Sequence, residues 1–224
     1  MYSGVHNYIV DKIKNATIYD YPFLHLIVDD IFPTDFYNLL LENKLSDLDL
    51  YNLKDINRVG TGYSDSRKVL NLEPEMPQLK NNYKEFYENF AKYMHYHFQS
   101  LIMKKFKLSL RGTKGDLLYT RDTKNYSLGP HTDKTSKLLT CLIYLPMDDK
   151  HSFIGTSVYT PKITNFKCKG GPHYKSSNFD LVKTINYIPN RMFCFLKTDN
   201  SFHGVEPVTV EVERNLLIFD IQKA

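Results

Sequence analysis

The chain has 224 residues, 42% of them apolar, a net charge of +4 and a pI near 8.7. That is material for one domain with a substantial core. The mild, dispersed positive charge does not mark a nucleic-acid groove, three cysteines make no disulfide framework, and no stretch approaches the roughly 18 apolar residues of a membrane span. No signal peptide is evident at the start, so a cytoplasmic location and no membrane partner are expected.

Residues 1–20 read as a short strand or a loose arm, and 24–28 as a strand. A helix is expected over 34–44, with Thr34 as N-cap and Asp35 in the first turn. Residues 46–75 are polar and irregular. A strong 3.6-residue period over 76–104 (Leu79, Tyr83, Phe86, Tyr87, Phe90, Tyr93, Met94, Phe98) predicts one long helix against a sheet. From about residue 107 strands follow one another. The clearest are 137–145, stopped by Pro146, then 192–196 and 215–221. Cys141 and Cys194 fall in these apolar strands and read as buried thiols. Residues 161–190 are long for a connection and read either as a mobile flap over the site or as a surface excursion with no role. A helix-rich 1–106 supporting a strand-rich 107–224 gives a single domain over 1–224. Its fold class is mainly β with flanking helices, an α+β jelly roll.

Within that frame His131 and Asp133 stand two apart. On a strand this spacing turns both side chains to one face. His203 follows between two strands. Two imidazoles and one carboxylate can occupy one face of an octahedral iron and leave three positions open. Arg214, next to the last strand, carries a permanent charge on a fork that matches a carboxylate. His95 and His97 alternate on the long helix and make a poor metal pair.

Three stretches carry a resemblance. They are Tyr119-Thr120-Arg121 through Pro130-His131-Thr132-Asp133 to Leu142-Ile143-Tyr144-Leu145-Pro146, then Gly155-Thr156-Ser157-Val158-Tyr159, then Phe202-His203-Gly204-Val205-Glu206-Pro207-Val208 through Arg214. The entry segment Tyr21-Pro22-Phe23-Leu24-His25 adds to them. Together they resemble the Fe(II)/2-oxoglutarate-dependent dioxygenases, in the prolyl-4-hydroxylase-like branch. The resemblance implies a double-stranded β-helix of cupin-like type. It implies Fe(II) on His131, Asp133 and His203, which would also be the catalytic centre. It further implies 2-oxoglutarate on Arg214, Tyr119 and Tyr144, with O2 as co-substrate and ascorbate as a candidate reductant. Asp133 is retained where the halogenating branch has a small residue, so hydroxylation is expected. Lys197, Asn200 and His173 are candidate substrate contacts. The expected substrate is a peptidyl residue of prolyl type or a small metabolite. Two other readings stay open: a jelly-roll metal-binding module without 2-oxoglutarate chemistry, and a nucleic-acid demethylase. The latter usually places a second Arg beyond the first in the last strand, and no Arg follows Arg214.

Overall fold

A computed structural model describes residues 3–53, 65–76, 79 and 83–224. Its elements in chain order begin with α1 (Ser3–Asn15), β1 (Ile18–Tyr19), β2 (His25–Val28), α2 (Thr34–Glu42), β3 (Tyr51–Asn52) and β4 (Arg67–Asn71). Helix α3 (Lys84–Tyr93) passes through a π-helical turn (Met94–Phe98) into α4 (Gln99–Lys105). Eight strands follow: β5 (Thr113–Asp122), β6 (Leu128–His131), β7 (Lys137–Tyr144), β8 (Thr156–Pro161), β9 (Phe179–Ile185), β10 (Met192–Leu196), β11 (His203–Val205) and β12 (Arg214–Lys223).

The strands form two antiparallel sheets. The larger runs β1-β2-β10-β7-β12-β5-β4-β3 and the smaller β6-β11-β8-β9. This two-sheet sandwich braced by helices is the jelly roll expected from the sequence. The central strands of the larger sheet, β10, β7 and β12, are mostly apolar because both faces are covered, with Thr140, Arg214, Asn215 and Asp220 as buried polar exceptions. Alternation along each strand divides the side chains. Leu139, Cys141 and Ile143 of β7, Cys194 of β10, and Leu217, Phe219 and Ile221 of β12 meet the helices. Leu142 and Tyr144, Phe193 and Phe195, and Leu216 turn inward to the small sheet, where they meet Val158, Ile185 and Val205. Cys141 and Cys194 are fully buried thiols facing one another across β7 and β10.

Four expectations are corrected. The N-terminus is neither strand nor arm but helix α1: Val5, Ile9 and Ile13 recur every four residues and are buried against the sheet. Its β-branched residues and Gly4 give it weak intrinsic propensity, so the helix rests on burial of its apolar face. The long helix starts at Lys84 rather than 76 and is interrupted by the π turn, which keeps Met94 and Phe98 in the core. Residues 77–78 and 80–82 lie outside the described residues. Thr34 opens α2 as its first residue, with Pro33 in the cap position. The polar 46–75 stretch supplies two strands, β3 and β4, to the edge of the large sheet. Its residues 54–64 also lie outside the described residues.

The 161–190 segment is not wholly irregular either. Its second half is β9, the edge of the small sheet, paired with β8. Its first half is packed down: the Tyr174 N–H donates to Pro130 O at 2.9 Å and the Cys168 N–H to Asp199 O at 2.8 Å.

Candidate metal centre and anion pocket

Antiparallel pairing of β6 with β11 sets His131 directly opposite His203. Their ring centroids are 4.3 Å apart. Asp133, two residues past His131, completes a group whose ligand atoms all lie within 4.8 Å of one another. His131, Asp133 and His203 are 8%, 7% and 7% exposed, so a dry cluster is assembled on one face of the small sheet.

Each ligand side chain is held by a second contact. His131 Nδ1 lies 3.0 Å from Gly129 O, and His203 Nδ1 3.0 Å from Ser201 O. Donation of both Nδ1–H groups to the backbone leaves both Nε2 lone pairs for a metal. Burial lowers the pKa of both rings, and for His131 the neighbouring His203 adds to the effect. Both rings are therefore neutral near pH 7, the form that binds metal. Asp133 accepts from Lys137 Nζ at 3.0 Å and from Thr140 Oγ1 at 2.8 Å. Burial alone would raise its pKa. Lys137 and the two imidazoles outweigh that and hold it well below the usual carboxylate range. Lys137 and Thr140 also bind a second buried carboxylate, Asp220, at 2.8 Å each.

Deeper in the same interior, Arg214 is 1% exposed. Its Nε donates to Ile154 O at 2.7 Å and its Nη1 to Asp122 Oδ2 at 2.7 Å. The rings of Tyr144 and Tyr187 lie 5.7 and 5.5 Å from its guanidinium carbon. Nη2 is buried with no hydrogen-bond partner among the described residues, and so is Thr120 Oγ1. Thr120 stands opposite Leu216, two positions along β5 from Asp122, which faces Arg214. Buried donors left without partners are costly. A guanidinium N–H2 and a hydroxyl on one inner face are the donors a carboxylate requires.

Strand β8 links the two ends. Val158 pairs with His203, the Thr156 side chain contacts the Tyr144 hydroxyl, and Ile154 just before the strand receives the Arg214 bond. Thr156 and Val158 are two residues, about 7 Å, apart along the strand.

The sequence-derived candidates fare differently. The structure brings His131, Asp133 and His203 together, and buries Arg214 and Tyr144 in the same interior. Tyr144 spends its hydroxyl on Thr156 Oγ1 at 2.8 Å. Tyr119 is not at this site. It is an odd-numbered neighbour of Thr120 on β5, so it faces the helices and packs edge-on to Tyr87 at 6.4 Å. Burial there raises its pKa to about 12. His173 does reach the centre, its ring 4.7 Å from that of His131. Lys197 is spent on Asp199 at 3.0 Å, and Asn200 is exposed and accepts from Thr198 Oγ1 at 2.6 Å. Both contacts stay within the turn that leads to His203.

The segment carrying His173 packs against the cluster. Thr132 Oγ1 donates to Cys168 O at 2.7 Å. Gly170 has φ +121°, and a Cβ there would stand 2.2 Å from Asp133 O. Only glycine permits that backbone and that approach. Sequence reasoning missed Lys137, Thr140, Asp220, Thr120, Asp122, Arg67 and Tyr187. Lys137 had a local signal, four residues from Asp133; the others had none.

No family model matches the sequence, and no curated protein matches it. Solved structures do. A prolyl-4-hydroxylase of Pseudomonas putida aligns over 98% of this chain and 99% of its own at 11% identity, with a TM-score of 0.54. A prolyl hydroxylase from Trichoplax adhaerens, in complex with a hypoxia inducible factor oxygen degradation domain peptide fragment, aligns over 97% and 89% at 12% identity, TM-score 0.53. HygX of Streptomyces hygroscopicus, with nickel, 2-oxoglutarate and hygromycin B bound, aligns over 89% and 83% at 13% identity, TM-score 0.54. At such identities the likeness is one of architecture, and the chain has the double-stranded β-helix fold that these prolyl hydroxylases and HygX share.

Proposed function

We propose that this chain is an Fe(II)- and 2-oxoglutarate-dependent oxygenase that hydroxylates an unactivated C–H of a peptidyl residue, prolyl or similar, or of a small metabolite. One observation carries the reading. A buried two-His, one-carboxylate cluster shares a single interior with an arginine whose Nη2 has no partner. A zinc- or iron-binding module has no need of that second feature.

The residues divide the work as follows. His131, Asp133 and His203 would hold Fe(II), with Gly129 O, Ser201 O, Lys137 and Thr140 fixing their orientation. Arg214 and Thr120 would take the far carboxylate of 2-oxoglutarate. Bound iron and the keto acid together supply the O2-activating chemistry that no side chain here has. Phe193, Phe195, Tyr144 and Leu216 are buried in the same inner cluster and would exclude water from a co-substrate held between the two ends. His173 and the 162–178 lid cover the metal side and would meet a substrate there. The neighbours leave the substrate class open, since one is in complex with a peptide fragment and another has hygromycin B bound.

The test is the anaerobic visible spectrum with Fe(II) and 2-oxoglutarate. A weak charge-transfer band requiring both is expected, and Arg214→Ala should abolish it at moderate keto-acid concentration while Fe(II) binding persists. Metal binding with no band in the wild-type protein would instead favour the jelly-roll metal-binding module. Succinate release across peptide and metabolite pools then narrows the substrate.

A further inference from the structure

Arg67, Asp122 and Arg214 stand in one row across three neighbouring strands. Arg67 of β4 and Arg214 of β12 are each in register with Asp122 of β5. Directly opposed residues on adjacent strands are close enough to pair. Arg67 forks onto the carboxylate, Nε to Oδ1 at 2.5 Å and Nη2 to Oδ2 at 2.8 Å. Arg214 adds a third bond, Nη1 to Oδ2 at 2.7 Å. Asp122 is fully buried, and the two arginines are 9% and 1% exposed. The Arg67 guanidinium also lies 4.2 Å from the Tyr126 ring, a second low-dielectric wall.

Both guanidiniums share the one carboxylate of Asp122, which cannot cancel two charges by itself. Arg67 takes both oxygens in the better, bidentate geometry. Asp122 therefore fixes where Arg214 points without removing its charge. Were Asp122 paired with Arg214 alone, an incoming anion would meet a neutral ion pair. The rings of Tyr144 and Tyr187 beside Arg214 keep it from swinging to another partner.

We infer that Arg67 is a specificity-determining residue of the anion pocket. By drawing on both oxygens of Asp122 it leaves the charge of Arg214 uncompensated, so the pocket selects a keto acid with a second, distal carboxylate. Arg67 and Asp122 are positioning residues that act through Arg214. This rests on the reading of the site as a 2-oxoglutarate pocket.

The experiment titrates 2-oxoglutarate and 2-oxovalerate, the same carbon chain ending in methyl, into the full-length anaerobic Fe(II) protein. The charge-transfer band gives a Kd for each. The wild type should prefer the dianion. Arg67→Gln should reduce that preference at least about tenfold through 2-oxoglutarate alone, with the Kd for 2-oxovalerate and for Fe(II) unchanged. Arg67→Gln with Asp122→Asn leaves Arg214 as a lone cation and should restore the preference, which repair of a purely structural defect would not do. Arg67→Lys keeps the charge and should keep the preference. If the glutamine variant does not fold, the lysine variant decides: loss of preference there overturns the inference. So does a glutamine variant that weakens both keto acids equally or neither, or a double variant that stays defective. A wild type with no band for either compound overturns the functional reading itself. A wild type whose preference survives Arg67→Gln overturns this inference alone.

Discussion

The metal end and the arginine end of the interior are built by opposite means. At the metal end the contacts that hold the three side chains come from close by in sequence. Each imidazole leans on a carbonyl two residues back, and Asp133 on groups four and seven residues ahead. At the arginine end the contacts come from far away: Arg67 to Asp122 spans 55 residues, Arg214 to Ile154 spans 60, and Arg214 to Asp122 spans 92. There two polar groups, Nη2 of Arg214 and Oγ1 of Thr120, are left without partners.

The largest way to break this contrast is at Lys137, which joins Asp133 to Asp220. Lys137→Met leaves two buried carboxylates facing one another. Loss of one partner of a buried ion pair costs about 3–5 kcal/mol, and loss of an outer-shell contact costs roughly 10–100-fold in metal affinity. Both should appear, as a lower Tm and as weaker Co(II) binding by calorimetry. Adding Asp220→Asn should recover much of the stability, because the surplus charge goes with it. Wild-type metal affinity in Lys137→Met would show that the second shell is decorative.

The same contrast explains what could be read from the chain alone. Period-2 and period-3.6 patterns declared the sheet and the long helix, because burial acts residue by residue along an element. The cluster was legible because His131 and Asp133 are two residues apart, at and just past the end of β6, and His203 has strand signals on both sides. Helix α1 was not, since its stripe of three apolar residues decides only once the sheet exists to bury it. Tyr119 was misplaced for a related reason: moving one residue along a strand changes the face, and Thr120 is the inward neighbour. The Arg67–Asp122–Arg214 row depends on register between strands distant in sequence, which no motif spacing encodes.

Proton uptake probes one side of this comparison. The metal end titrates. Burial holds the folded pKa of His131 and His203 below the ordinary 6.5. In the metal-free protein the unfolded chain therefore binds protons that the folded one refuses. Stability is complete above that pH and is lost as the pH falls below it. The slope reaches up to about 1.4 kcal/mol per pH unit for each ring. Thermal melts of the metal-free protein between pH 7.5 and 5.5 should show Tm falling on acidification, and His131→Asn should flatten the curve. A Tm that holds level to pH 5.5 would mean that the rings are not buried as neutral groups.

The finest test compares two threonines. Thr120 and Thr140 are both buried, at 0% and 3% exposure, and both stand on strands of the large sheet. Valine is close in shape and suited to a strand, so each Thr→Val change removes a hydroxyl and little else. Thr140 Oγ1 bridges Asp133 and Asp220, and its loss should destabilise the protein by about 1–3 kcal/mol. Thr120 Oγ1 has no partner, so Thr120→Val removes a desolvation cost and should leave the ligand-free protein as stable or more so, by up to about 1 kcal/mol. Its cost should appear in 2-oxoglutarate affinity, reduced by roughly three- to tenfold, the value of one hydrogen bond to a charged group. Opposite signs on stability for two such similar residues would follow from the ligand-dependent design of one end alone. Equal destabilisation would mean that Thr120 already serves the fold and that the anion contacts Arg214 without it.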